Sequence, residues 1–260
     1  MTDLINNSDK THFINSLNKR GFILERKVWK ILNDVRYGIG IERGVKGVKI
    51  DPVDVSEIDF VFSGMNYVTI IECKRTDYTW VFTKSENQIV NTFYHHVNTG
   101  IKIKPLVYDF VTTVDSDIAI MIDDDGKLEM KNDIYAKTSY EDVYDHVIQL
   151  LKNMEVYLGL KSGNFPAKCA NKLFCPILLT NAKIGLLDFN DSQIDDSGNL
   201  TDYNKLEEVP FVAYNKPFIM QFDNPEENNE FMKTVFIVNI RHLKEFVERY
   251  GDCDISWMPH

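Results

Sequence analysis

Glu72, Cys73, Lys74 and Arg75 close the stretch IIECKR, residues 70–75, directly after an apolar run. Side chains alternate between the two faces of a strand, so Glu72 and Lys74 leave from the same side. A carboxylate beside an amine suits two tasks: holding a hard cation, and positioning a water for attack on phosphorus. Upstream, VSEIDFVF (55–62) reads as a second strand, and SGMN (63–66) between the two reads as a turn. A tight antiparallel hairpin with Val61 opposite Val68 sets Asp59 opposite Ile70 and Glu57 opposite Glu72. Glu57, Asp59, Glu72 and Lys74 then share one face. Ile58, Phe60, Phe62, Ile71 and Cys73 share the other, which can pack into a core. Asp59 and Glu72 become diagonal neighbours, about 7–8 Å apart at Cα. Two carboxylates at that spacing can converge on Mg²⁺, which takes one or two carboxylates and completes its shell with water and phosphate oxygens. With no cation between them they raise each other's pKa. Glu57 reads more readily as a charge at the start of the strand than as a further ligand.

The elements around the hairpin supply a fourth group. Residues 12–36 read as a helix with apolar Phe22, Leu24, Val28, Trp29, Ile31, Leu32 and Val35. Glu25, Val28, Trp29 and Leu32 fall on one face, so Glu25 points inward and needs a partner. The cation cluster or a basic residue would serve. GIGIERGVKGVKI (38–50) holds a strand in a basic, Gly-punctuated loop. SENQIVNTFYHHVNTG (85–100) reads as a helix, with Ser85 and Gln88 as a capping box and Ile89, Phe93 and Val97 on one face. Strands are expected in DIAIMI (117–122), around Asn181–Ala182 in 174–189, in VPFVAY and in VFIVNI. Helices are expected over 138–159 and in RHLKEFVERYG. No linker divides the chain, and one α/β domain over 1–260 is expected, with the core motifs in 20–98.

A Glu in a first helix, an Asp in a strand, and Glu-x-Lys in the next strand resemble the PD-(D/E)XK nuclease superfamily, the restriction-endonuclease-like fold. The matching residues are Glu25, Asp59, Glu72 and Lys74. Ile58 stands where many members carry a proline before the aspartate. The resemblance implies a mixed sheet flanked by helices with an α-β-β-β-α-β core, and Mg²⁺-dependent phosphodiester hydrolysis, with Mn²⁺ as a substitute. Gln88 looks like the polar residue that helicase-nuclease branches carry on the following helix, although a helix cap already explains it. In this reading Asp59 and Glu72 bind Mg²⁺, with the backbone carbonyl of Cys73 as a third ligand. Lys74 orients or deprotonates the attacking water. Glu25 holds a water of the ion or a second ion. Arg43, Lys46, Lys49 and Arg75 grip the DNA backbone without reading sequence. Restriction, repair and phage defence all use such enzymes. The rival is a catalytically silent nucleic-acid-binding or assembly module of the same fold; a third reading makes these acids plain surface charges.

Charge bears on the partner. The net charge is −10, yet residues 10–50 carry ten Lys/Arg and three acids, a net +7, leaving −17 for the remainder. A basic portion on an acidic body is compatible with local phosphate binding. The four cysteines are too few and too scattered for a disulfide framework or a zinc site and read as small hydrophobes. His95 and His96 read as surface and packing residues. Tyr78 and Trp80 read as core or edge cover before base stackers. No apolar run approaches the ~20 residues of a membrane span, and no signal segment opens the sequence, so the expectation is a cytoplasmic protein without a membrane partner. The sequence leaves a homodimer open.

Overall fold

Runs of β-branched and aromatic residues set most of the architecture. The computed structural model describes residues 7–18, 21–36, 38–46, 57–76, 78–96, 100–120, 143–158, 166–219 and 230–252. In chain order these form α1 (Asn7–Asn18), α2 (Phe22–Asn33), β1 (Gly38–Lys46), β2 (Glu57–Gly64), β3 (Tyr67–Lys74), β4 (Thr79–Lys84), β5 (Val90–His96), β6 (Gly100–Leu106) and β7 (Thr112–Ile120). They continue with α3 (Val143–Tyr157), β8 (Leu173–Thr180), β9 (Ile184–Asp188), β10 (Lys205–Val209), β11 (Phe211–Ile219), β12 (Glu230–Asn239) and α4 (Leu243–Gly251). The result is an α/β protein in which the twelve described strands join one mixed sheet.

The sheet runs β1-β2-β3-β8-β12-β11-β7-β4-β9-β10, with the β5–β6 hairpin attached to β8 off this path. β1, β2 and β3 form an antiparallel meander. β8 then lies parallel to β3, and β12 parallel to β8. β8 is buried at every position, as a strand covered on both faces must be. Its Pro176 falls between the stretch that pairs with β5 and the stretch that pairs with β12, a break where a missing N–H does least harm.

Two clusters, one on each face, hold the helices. Val147, Leu150, Leu151 and Met154 of α3 pack with Val68, Ile70, Leu178 and Ile237. On the opposite face Leu24, Val28 and Leu32 of α2 and Phe246 and Val247 of α4 pack with Phe60, Phe62, Ile71, Leu179 and Phe236. Phe246 meets the Phe211 and Phe236 rings at centroid distances of 5.1 and 5.0 Å. Burying each such ring contributes about 1.5–3 kcal/mol. No described helix is long and apolar enough to cross a membrane.

Several expectations need correction. The helix expected over 12–36 is divided into α1 and α2, with Gly21 as the α2 N-cap. The stretch expected as a helix over 85–100 contains β5, so the capping box does not form. Ser85 instead accepts the Asn87 N–H, and Gln88 links the preceding loop to β7 through the Thr113 N–H. The reason is visible in the pattern: Ile89, Phe93 and Val97 recur every four residues, which suits a strand face as well as a helix face. Thr92 and Phe93 then divide between the two faces: Thr92 Oγ1 meets the Tyr108 hydroxyl, and Phe93 joins the α3 cluster. The first described helix after β3 is therefore α3. β4, β6 and β10 fall where no strand is expected, and Lys49 and Cys253 lie outside the described residues.

The hairpin register is also corrected. Val61 pairs with Ile70 and Phe60 with Ile71, two residues away from the expected register. Ser63 and Gly64 extend β2, so only Met65 and Asn66 turn the chain. Gly64 permits this because a Cβ there would strike the Tyr67 ring. A shift of two keeps each residue on its face, so the alternation of Glu72 and Lys74 with Cys73 is retained. Ile58 breaks the pattern: it packs with Val61 and Ile70 in the α3 cluster, whereas Phe60 and Phe62 pack on the other side. β2 thus changes face around Asp59.

Candidate active site

The groups singled out gather where β2 leaves β3. The observed pairing of these strands extends from Ser63↔Val68 to Phe60↔Ile71 and no further. Asp59 follows at the parting point, and its Oδ2 accepts the Cys73 N–H at 2.7 Å, a donor that a continuing ladder would have used. Glu72 and Lys74 project from β3 on the side of Val68 and Ile70. The Lys74 Nζ lies 3.0 Å from Glu72 Oε1. Glu72 is 8 % exposed, and its Oε2 is buried with no hydrogen-bond partner among the described residues.

Burial, and then the neighbouring Glu72 carboxylate, push the Asp59 pKa up to about 7, with Glu25 adding to the effect; the Cys73 N–H and Lys74 oppose it. Three acids and one lysine are therefore within electrostatic reach of one another, and Glu72 is the strongest charge acting on Asp59. Glu25 comes from α2, the layer covering the Cys73 side, and lies half-buried; the buried stripe of α2 is Leu24, Val28 and Leu32, and Trp29, expected on the inward face, is exposed instead. Of the two partners open to Glu25 from sequence, the basic residue is the one observed: Arg43 of β1 donates to Glu25 Oε2 at 2.6 Å. The Cys73 thiol, held among Asp59, Glu25 and Glu72, has its pKa raised, first by burial.

The site lies at the carboxyl ends of the parallel strands β3, β8 and β12, where open α/β sheets place their ligands. Side-chain amides lace these ends together. Asn181, just after β8, accepts the Thr76 N–H at 2.9 Å and donates to the Thr76 carbonyl at 2.8 Å. Asn239 at the end of β12 donates to the Ala182 carbonyl at 2.6 Å. The loop that follows Lys74 is thereby fixed to the loop that follows β8. Sequence reading missed both asparagines; their signal was position, each at or just beyond the end of an apolar run.

Other expected residues stand apart. Glu57 is exposed and its carboxylate lies close over Gly44 of β1, whose φ is +60°. Lys46 pairs with Glu57 at the end of β1. Arg75 is half-buried just past Lys74. Gln88 serves the β4–β5 loop, as described above. Trp80 is fully buried and Tyr78 packs against the α3 cluster, which assigns both to the core. Among the described residues Cys73, Cys169 and Cys175 form no disulfide. A cavity of about 270 Å³ lined by Arg36, Asn66, Tyr67, Glu248 and Asp252 opens at the turn end of the hairpin. It is separated from Lys74 by the length of β3, roughly 23 Å at strand rise.

Among the described residues no group of three or more His, Cys, Asp or Glu is arranged to hold a metal ion. Asp59 and Glu72 are the two carboxylates that act on each other here. A buried oxygen of Glu72 has no donor among the described residues, and the proximity of Glu72 helps keep Asp59 from ionising in its ordinary range; both are relieved by positive charge. Comparison with protein-family models, with curated proteins and with solved structures finds no match to this chain.

Proposed function

We propose that the chain is a divalent-metal-dependent nuclease that hydrolyses phosphodiester bonds of DNA, of the PD-(D/E)XK, restriction-endonuclease-like kind. The observation that carries the proposal is the buried, unsatisfied Glu72 oxygen beside a protonation-shifted Asp59, with Lys74 on the same strand. The chain order supports it. α2, β1, β2, β3, α3 and β8 follow one another as helix, three strands, helix, strand, with β4 to β7 inserted before α3.

Asp59 and Glu72 would hold Mg²⁺ or Mn²⁺, with the Cys73 carbonyl as a third donor. A bound ion supplies Lewis-acid polarisation of the phosphoryl group and a lowered pKa for water. Lys74 faces the same space and would orient the attacking water, take up its proton, and offset charge on the phosphate. The Asp59–Cys73 hydrogen bond fixes one carboxylate against the backbone, and Asn181 holds the loop that follows Lys74. Arg43 would meet the phosphate chain from the Glu25 side, and Arg75 would do so from the end of β3.

One observation favours the binding-module alternative. Glu25 is already paired with Arg43, so it is not free to complete a larger ligand set. Incubation with labelled single-stranded, duplex and branched DNAs in Mg²⁺, Mn²⁺ or EDTA decides between the two. Metal-dependent cleavage supports the nuclease. Binding without cleavage under every condition supports the module.

A further inference from the structure

We infer that the face of α2 beside the carboxylates is a stacking platform for an unpaired base, so that the polymer held there is single-stranded nucleic acid. The inference takes the polymer's identity from the nuclease reading, but its test does not involve cleavage.

The platform is Trp29. The core-facing stripe of α2 is Leu24, Val28 and Leu32, all buried, whereas Trp29 is 40 % exposed. It lies one helical turn after Glu25, and thus at the edge of the candidate site. Its ring centroid is 6.4 Å from that of Phe60, tilted by 38°. The Arg43 guanidinium lies 6.0 Å from the same Phe60 ring. Phe60 is buried and immediately follows Asp59. Trp29 and Arg43 thus rest on one support, next to the residue that parts β2 from β3.

Cations bracket the ring. Arg26 and Lys30 are exposed. At 3.6 residues per turn they fall within about 100° of Trp29 on its solvent side. Arg43 flanks it on the Glu25 side. An accessible aromatic face among cations is the combination by which proteins hold single strands, with the bases on the ring and the phosphates on the cations. An intact duplex keeps its base faces stacked on one another and cannot offer one to a ring lying on a helix surface. Charge complementarity points the same way, because residues 10–50 are net positive on a chain of net charge −10.

The test uses the full chain in EDTA at low salt, with a short mixed-sequence single strand and the blunt duplex of the same sequence. Stacking supports a loss of about 5- to 150-fold in single-strand affinity for Trp29→Ala, with duplex affinity changed by less than about twofold. Trp29→Phe keeps a ring, so it should retain single-strand affinity while reducing the quenching of tryptophan fluorescence by the strand. Trp29→Ala with unchanged single-strand affinity, or with an equal loss on both polymers, overturns the inference. So does a second copy of the chain seated on this face, read as a dimer in sedimentation that Trp29→Ala dissociates. The two readings fail separately. A wild type that cuts DNA in Mg²⁺ while Trp29→Ala binds single strands normally loses the platform and keeps the nuclease. A wild type that needs Trp29 for single strands but cuts nothing keeps the platform and loses the nuclease.

Discussion

At the scale of single residues, Asp59 has the clearest signature. Its carboxyl holds its proton up to about pH 7, against an ordinary value of 3.8. Between those values the folded protein carries a proton that the unfolded chain has released. Metal-free stability therefore falls as pH rises through that window and is level with respect to this group above about 7. Asp59→Asn removes the titration and keeps an oxygen for the Cys73 N–H. In EDTA it should melt a few degrees above the wild type at pH 8 and level with it below the ordinary aspartate range. A lower melting temperature for the variant across the whole range would assign Asp59 to the structure instead. Lys74 separates chemistry from binding. Lys74→Ala should leave Mn²⁺ affinity unchanged or slightly raised, and slow single-turnover cleavage by about 10²–10⁴-fold. Lys74→Arg should fail as well, since a guanidinium does not give up its proton. Cleavage at the wild-type rate by Lys74→Ala would remove the lysine from the mechanism.

At the scale of elements, how much could be read ahead depended on the range of the pairing. The alternation of Glu72, Cys73 and Lys74 was legible because it needs only one strand. The register was missed by two residues because SGMN carries turn residues throughout, and only packing of Tyr67 across Gly64 shows where β2 ends. The change of face at Asp59 was not legible at all, since it depends on β3 being drawn away to pair with β8. A second such feature is Lys233, fully buried in β12 with its Nζ 5.7 Å from the centroid of the Phe93 ring of β5. Burial lowers its pKa and Glu155 of α3 opposes this. Three elements meet at this one charge, and a pattern-based reading of VFIVNI started two residues too late to see it. Replacing one of two interacting buried charges leaves the other uncompensated, whereas replacing both with apolar residues is often neutral. Glu155→Leu and Lys233→Met should each lower the urea midpoint, and the double variant should recover most of the loss. Additive losses in the double variant would mean that the two groups are not coupled.

At the scale of the whole molecule, the site belongs to the amino-terminal meander, but its burial does not. β1, β2 and β3 pair locally, whereas β3 receives its second neighbour from β8: Ile70 meets Pro176, and Ile71 meets Ile177. A two-sided apolar strand is thus completed by residues about a hundred positions later. During synthesis this spacing becomes a waiting time. At about 5–20 residues per second, the free edge of β3 stays bare on the ribosome for roughly 5–20 s, as a flat apolar strand of the kind that other chains add to. A fragment ending at residue 165 makes that interval permanent. It should aggregate when expressed alone and become soluble when residues 166–260 are supplied as a second chain. If the fragment stays soluble and monomeric by itself, something other than β8 shields the strand while the ribosome finishes.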